Sequence, residues 1–311
     1  MFITYPDLTN HYQQKSIKVF LGEFPLLAEE LFTIDEKLHG TNIQLIFEPN
    51  RLMLVGSRNR ILDFTENFFG IFETLLKYKQ ELEVIQKYCN ENDQLLNLYG
   101  ELFGPGVQKG VDYGLRKRIR VFHLRINKRL ISSIEFNNWL YRLEISHLRV
   151  PHLGLINGLE NALNFDTRIP SVLSEMGDLC EGVVIQPFNT IYKQNNGDYI
   201  IFKKKNEEFK EKQRIKKQHI PEILSEEVEY LMNEFHSLIN RNRLESVYSK
   251  EGIIKDSAQI GYYIKLVMED ATKELFLDET IKTRIDLLDK KEKKIIFNVG
   301  NQIARMLMED V

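Results

Sequence analysis

The feature that most restricts the fold of this chain is a change of hydrophobic period just after Lys205. Before it, short apolar runs bounded by turn residues alternate with helical stretches, whereas after it apolar residues keep helical spacing. In the first part, 43–47 and 52–55 flank Glu48-Pro49-Asn50-Arg51, a hairpin signal. Phe69, Phe72, Leu75, Leu76, Leu82 and Ile85 lie near helical spacing within 68–88. Residues 95–102 read as a strand, 119–126 and 129–133 as a hairpin across Asn127-Lys128, and 136–143 as a short helix that buries Trp139. Residues 182–188 and 199–204 read as strands joined by a loop ending in the turn signal Asn195-Asn196-Gly197-Asp198. The polar stretch 206–219, followed by Pro221, reads as a linker. Beyond it Ile223, Leu224, Val228, Leu231, Phe235, Leu238 and Ile239 mark a helix, capped by Ser225 with Glu226 and Glu227 at its positive end. More helices are expected over 257–276 and 292–308, with 277–288 less regular. The pattern predicts an α+β domain over 1–218 and an all-helical domain over 219–311.

Composition excludes more than it selects. At 311 residues, with 43% hydrophobic and 28% charged residues, the chain reads as an ordinary globular protein. No run of 18 or more apolar residues is present, and residues 1–10 lack a secretory pattern, so an intracellular setting is expected. Cys89 and Cys180 are too far apart in sequence to suggest a metal cluster. A net charge of −3 does not advertise a nucleic-acid binder, but the charge is unevenly spread. Residues 115–129 carry seven Lys or Arg and no acid, and 203–217 carry eight against three Glu. Either run is consistent with a solvated face, although the second begins inside a candidate active-site strand.

No Gly-x4-Gly-Lys-Ser/Thr loop and no zinc-type Cys/His cluster is present, so any chemistry rests on lysines, carboxylates and an added metal. Lys37, in Glu36-Lys37-Leu38-His39-Gly40-Thr41-Asn42, heads an ordered series. Ser57-Arg58 follows, then Tyr99-Gly100-Glu101-Leu102-Phe103-Gly104, Glu181-Gly182-Val183-Val184-Ile185 and Phe202-Lys203-Lys204-Lys205-Asn206. A lysine amine attacks phosphorus only when unprotonated, and nearby cations and burial favour that form. Strand alternation puts Lys203 and Lys205 on one face, suited to a phosphate, and leaves Lys204 for solvent. Gly40 permits close backbone approach, and His39 and Asn42 offer hydrogen bonds to phosphate or ribose. Glu101 and Glu181 are candidates for ribose contact and metal support, and Phe122 for stacking on a base or for the core.

In that order these segments resemble the phage-type RNA ligase 2 family, within the superfamily of ATP-dependent ligases and capping enzymes. Asn10-His11-Tyr12, Gly104-Pro105-Gly106-Val107-Gln108-Lys109, Val111-Asp112-Tyr113 and 206–212 extend the resemblance over nearly the whole chain. Capping enzymes and DNA ligases usually spell the nucleophile segment Lys-x-Asp-Gly, whereas Lys-Leu-His-Gly-Thr-Asn resembles the RNA ligase branch.

The resemblance implies an antiparallel-sheet adenylation domain, a helical domain for nucleic-acid engagement, and a monomer that joins 3′-hydroxyl and 5′-phosphate RNA ends in duplex or bridged RNA. It implies Lys37 as nucleophile, with Glu36, His39, Asn42, Arg58, Glu101, Phe122, Glu181, Lys203 and Lys205 around ATP and its covalently bound AMP. It further implies Mg²⁺ or Mn²⁺ with Glu181 as a ligand, partly through water, and Arg243 and Asp270 at the nucleic acid. Two positions depart from the family pattern. His123 stands where an Asp usually follows the stacking aromatic, and Gln186 stands where a Lys or Arg is usual. The competing readings are a degenerate ligase that holds RNA ends and a DNA-nick or cap-type nucleotidyltransferase.

Overall fold

The computed structural model describes residues 1–194, 197–209 and 225–311. Asn195, Asn196, Ile223, Leu224, most of the expected linker and the expected boundary at 218 lie outside the described residues. The chain forms two units, Met1–Glu208 and Phe209–Val311.

The strands of the first unit are β1 (Thr9–Asn10), β2 (Leu31–Lys37), β3 (Thr41–Phe47), β4 (Leu54–Ser57), β5 (Leu96–Phe103), β6 (Arg118–Ile126), β7 (Arg129–Leu130), β8 (His152–Asn157), β9 (Gly182–Pro187) and β10 (Phe202–Lys205). They build two five-stranded sheets, ordered β1-β10-β9-β2-β8 and β4-β3-β5-β6-β7. Every pairing is antiparallel except the two-residue β1, which runs parallel to β10. The hairpin turn at Asn127-Lys128 has positive φ at both residues, 49° and 73°, which matches the twist of its strands.

Each sheet buries one apolar face under helices. Helices α1 (Gln14–Glu23), α2 (Ile71–Leu75), α3 (Lys79–Asn92), α4 (Ser133–Arg142) and α5 (Leu159–Leu163) complete this unit. Phe32, Ile34, Val183, Ile185 and Phe202 share a core with Ile17 and Phe20 of α1 and Leu159 and Ala162 of α5. Ile43, Leu45, Leu98, Leu102, Val121 and Leu124 share a second core with residues of α2, α3 and α4. The expected single helix over 68–88 is instead α2, a 3-10 turn at Leu76–Tyr78 and α3. The tighter turn changes the phase of the apolar stripe, and Leu76 ends in solvent. Residues 131–133, expected as strand, turn into α4, where Ser132 and Glu135 form a capping box. Trp139 is buried there, as its apolar context predicts.

The second unit contains α6 (Glu226–Ser237), α7 (Arg241–Glu251), α8 (Ile260–Leu275), α9 (Glu279–Leu287), α10 (Lys290–Ile296) and α11 (Gly300–Met308). Ser225 caps α6 by accepting from the Val228 N–H. The helix expected over 292–308 is split into α10 and α11 around Phe297, which packs edge-on against Phe235 at 4.7 Å. Helix α7 lies outside the expected helices, and its largest fully buried side chain is a charged one, Arg243. No helix among the described residues is long and apolar enough to cross a membrane.

Candidate active site

The faces of the sheets that do not carry the apolar cores hold the chemistry. On β2, Phe32 and Ile34 point into the core, so Thr33, Asp35 and Lys37 take the other face. On β3 and β5, Asn42 and Gln44 and then Asn97, Tyr99 and Glu101 likewise oppose the core residues.

At the C-terminal end of β2, the Lys37 Nζ lies 2.8 Å from Glu181 Oε2. Glu181 precedes β9, and its other oxygen is 3.1 Å from Lys205 Nζ. His39 Nδ1 stands 3.4 Å from the same carboxylate. Glu181 is 3% exposed; burial alone would raise its pKa, but Lys37 and Lys205 outweigh that and hold it well below the usual carboxylate range. Close backbone packing brings these groups together. Lys37 pairs with Gly182, and Lys205 pairs with Gly182 from the other side. A Cβ on Gly182 would sit 2.0 Å from the Lys204 carbonyl oxygen, so only glycine lets β10 approach so closely. The Asn206 amide then ties the end of β10 to the carbonyls of Thr167 and Cys180.

Facing this cluster, Asn42 on β3 pairs with Glu101 on β5. Burial pushes the Glu101 carboxyl up to about 8, against the pull of Lys37 and with help from Glu181. Lys37, Glu181 and Lys205 all act on the Glu101 carboxyl, which puts it within electrostatic reach of the cluster. The Asn42 Oδ1 is buried and has no hydrogen-bond partner among the described residues. A buried acceptor of this kind suits a ligand hydroxyl donor such as a ribose.

The loop after Lys37 is braced from a segment to which the sequence alone gave no role. The His39 N–H donates to the Tyr113 hydroxyl at 2.9 Å, and Gln108 Nε2 donates to the Gly40 carbonyl at 3.3 Å. A Cβ on Gly40 would come within 2.3 Å of the Leu102 carbonyl oxygen. The only signal for this brace was the position of Gln108 and Tyr113 in the glycine-rich stretch after β5.

The structure thus gathers Lys37, His39, Glu181 and Lys205 into one cluster and sets Glu101 and Asn42 beside it. Lys203 shares the face of Lys205 on β10. Arg58 follows β4, is ion-paired with the exposed Asp7, and acts electrostatically on Glu101. Phe122 is partly buried on β6, in edge contact with Tyr5. Two expectations change. Lys204 is not in solvent but donates to the carbonyls of Leu163 and Phe165 at 2.9 and 2.8 Å, tying β10 to α5. The Glu36 carboxylate faces away from Lys37 and accepts from the Ser171 hydroxyl and the Val172 N–H, which leaves only its backbone near the cluster.

Arg243 and Asp270 lie in the second unit. Arg243 is 1% exposed; Nε donates to the Leu238 carbonyl, Nη2 to Glu274 at 2.9 Å, and Nη1 to Asp270. Lys250 Nζ reaches the other Asp270 oxygen at 2.7 Å. The Arg243 guanidinium therefore faces the core of the unit, and direct contact with nucleic acid does not fit its burial. Asp270 remains partly open to solvent.

The profile of the RNA ligase family matches residues 30–205, which hold every member of the cluster around Lys37. Residues 221–305 match the T4 RNA ligase 2 C-terminal profile. The chain belongs to the T4 RNA ligase 2-type family of RNA ligases. Among solved structures, a Naegleria gruberi RNA ligase mutant in apo form is similar at 18% identity and TM-score 0.50, covering 65% of this chain and 55% of that one. A mutant of the same ligase with AMP and Mn aligns at 16% identity and TM-score 0.51, over 67% and 57% of the two chains. Another with ATP and Mn aligns at 17% identity and TM-score 0.51, over 67% and 58%. At these identities the likeness is one of fold, and this chain spans little more than half the length of those structures.

Proposed function

We propose that the protein is an ATP-dependent RNA ligase that joins a 3′-hydroxyl to a 5′-phosphate in nicked duplex or bridged RNA, through AMP held covalently on Lys37. The observation that carries this reading is a lysine amine paired with a buried carboxylate that a second lysine also grips. In the first step, Lys37 Nζ leaves Glu181, loses its proton and attacks the α-phosphorus of ATP. A P–N bond forms as the bond to the pyrophosphate oxygen breaks. Lys205 and Lys203 lie on the face where negative charge accumulates and stabilise it. Asn42 and Glu101 hold the ribose, and Phe122 stacks on the adenine. A 5′-phosphate oxygen of RNA then attacks the AMP phosphorus as the P–N bond to Lys37 breaks, and the 3′-hydroxyl attacks the 5′-phosphorus as AMP leaves.

Among the described residues no group of three or more His, Cys, Asp or Glu is placed to hold a metal ion. A Mg²⁺ or Mn²⁺ ion would therefore be carried largely by the nucleotide phosphates and water, with Glu181 as its protein partner, and would neutralise phosphate charge. That donor set suits a hard oxygen-seeking cation.

The second unit is read as the nucleic-acid clamp, with Arg243 ordering its helices and presenting Asp270 and Lys250. Arg243→Ala leaves Asp270 and Glu274 without their buried partner, and is expected to destabilise that unit by about 3–5 kcal/mol. AMP uptake on Lys37 persists in this variant while sealing of a nicked duplex falls at least about tenfold. Sealing assays on nicked RNA, nicked DNA and single-stranded RNA, run with wild type and Arg243→Ala, test the proposal. Preference for nicked RNA supports it; equal sealing of nicked DNA, or none of any nick, contradicts it.

A further inference from the structure

The two sheets of the first unit are joined across their inner faces by an uncharged bridge next to Phe122. The register of β5 on β6 shifts between Tyr99 and Gly100: Tyr99 pairs with His123 and Gly100 with Val121. Phe122 is thus the extra residue of a β-bulge. The bulge flips the alternation of β6, since Ile119 and Val121 before it and Leu124 after it all lie in the same core. Phe122 and His123, although consecutive, therefore both face the cleft.

His123 is 2% exposed. Its Nε2 bonds the side-chain oxygen of Gln186 on β9, and its Nδ1 lies 2.7 Å from the Tyr5 hydroxyl. With Gln186 presenting its oxygen, Nε2 carries the hydrogen, and Nδ1 accepts from Tyr5. Burial pushes the imidazole down to about 4, so the ring is neutral at physiological pH. Tyr5 stacks on His123 at 5.6 Å and meets the edge of Phe122 at 5.2 Å. Phe122 and His123 are perpendicular at 5.6 Å. The Phe122 ring contacts both side chains, of which His123 is bonded to the other sheet and Tyr5 is bonded to His123.

We propose that Tyr5, His123 and Gln186 are positioning residues: they lock the two sheets together and set the Phe122 ring for stacking on the adenine. This rests on the ligase reading above. His123 and Gln186 are thus partners in one contact, a matched neutral pair, and a charge placed at either position alone would face a neutral side chain inside the protein. Removing one half of a buried charged pair is costly, whereas exchanging the whole pair for a neutral one is often tolerated.

A mutant cycle tests this. His123→Asp, Gln186→Lys and the double variant are compared for the KM of ATP, the kcat of AMP uptake, and the thermal midpoint of nucleotide-free protein. Each single variant should raise KM about tenfold with kcat changed by less than about threefold, and the double variant should return KM to within about threefold of wild type. Tyr5→Phe, which removes only a hydroxyl, should raise KM a few-fold and covers the case in which a charged single variant does not fold. In a Phe122→Ala background the effect of Gln186→Lys on KM should vanish, which a purely structural role would not produce. Additive losses in the double variant, or an unchanged KM in Tyr5→Phe, overturn the proposal. If wild type takes up no AMP, the ligase reading fails with the stacking role, and the thermal cycle decides the bridge alone: recovery in the double variant supports it, additive loss overturns it.

Discussion

Replacing Glu181 with Gln lowers the rate of AMP uptake by about 100- to 1,000-fold, the range for removing one preorganised electrostatic group from a site of this kind. Glu181 touches Lys37, His39 and Lys205 together. A neutral amide of the same shape removes the negative charge that both ammonium groups face. Stability changes with pH in a defined direction. The folded-state pKa of Glu181 lies well below the ordinary 4.5 despite burial, because Lys37 and Lys205 dominate. Its stabilisation is therefore complete above about pH 4.5 and is lost as pH falls through the folded-state value. Wild type should lose stability on acidification more steeply than Glu181→Gln, as read by urea unfolding at successive pH values. AMP uptake by Glu181→Gln within about threefold of wild type would remove this carboxylate from the reaction.

Replacing Glu101 with Gln gives the opposite trade: a more stable protein and a poorer enzyme. Burial raises the Glu101 carboxyl to about 8, with Lys37 opposing and Glu181 reinforcing the shift. Here the folded-state pKa lies above the unfolded one, so the favourable contribution is full below about pH 4.5 and disappears as pH rises through about 8. Gln cannot ionise, so the advantage of Glu101→Gln grows across that window. Full conversion of the displacement sets an upper bound of about 5 kcal/mol, and water reaching the partly exposed carboxyl reduces it to about 1–3 kcal/mol. Thermal unfolding of nucleotide-free protein should show nearly equal midpoints at pH 5 and a higher midpoint for Glu101→Gln at pH 8. AMP uptake should fall about tenfold or more, as expected where a strained ionisable group serves the reaction. A midpoint difference that is constant between the two pH values would show that the carboxyl is not displaced.

The division of the chain into a sheet-containing part and a helical part was legible because hydrophobic period changes from two to 3.6 residues where the fold changes. The association of Lys37, Glu181 and Lys205 was legible only as a series of segments, because 144 residues separate Lys37 from Glu181 and no local pattern spans that interval. Strand alternation separates Lys204 from Lys205, as their contacts do, yet it does not say that Lys204 finds the carbonyls of Leu163 and Phe165. Alternation also misleads on β6, where the bulge at Phe122 puts two consecutive residues on the same side. That is why His123 read as an isolated departure rather than as the partner of Gln186. Helix α7 lies outside the expected helices, and in it a buried Arg243, satisfied by Asp270 and Glu274, occupies a place that apolar periodicity assigns to a hydrophobic residue.

The central claim is that Lys37 carries AMP. The most direct test incubates wild type and Lys37→Ala with ATP and Mg²⁺, records intact mass before and after adding pyrophosphate, and maps the modified peptide. The account predicts a gain of one AMP on the peptide containing Lys37 in wild type only, reversed by pyrophosphate. AMP on any other residue, uptake by Lys37→Ala, or wild type that neither gains AMP nor releases pre-bound AMP to pyrophosphate would contradict it.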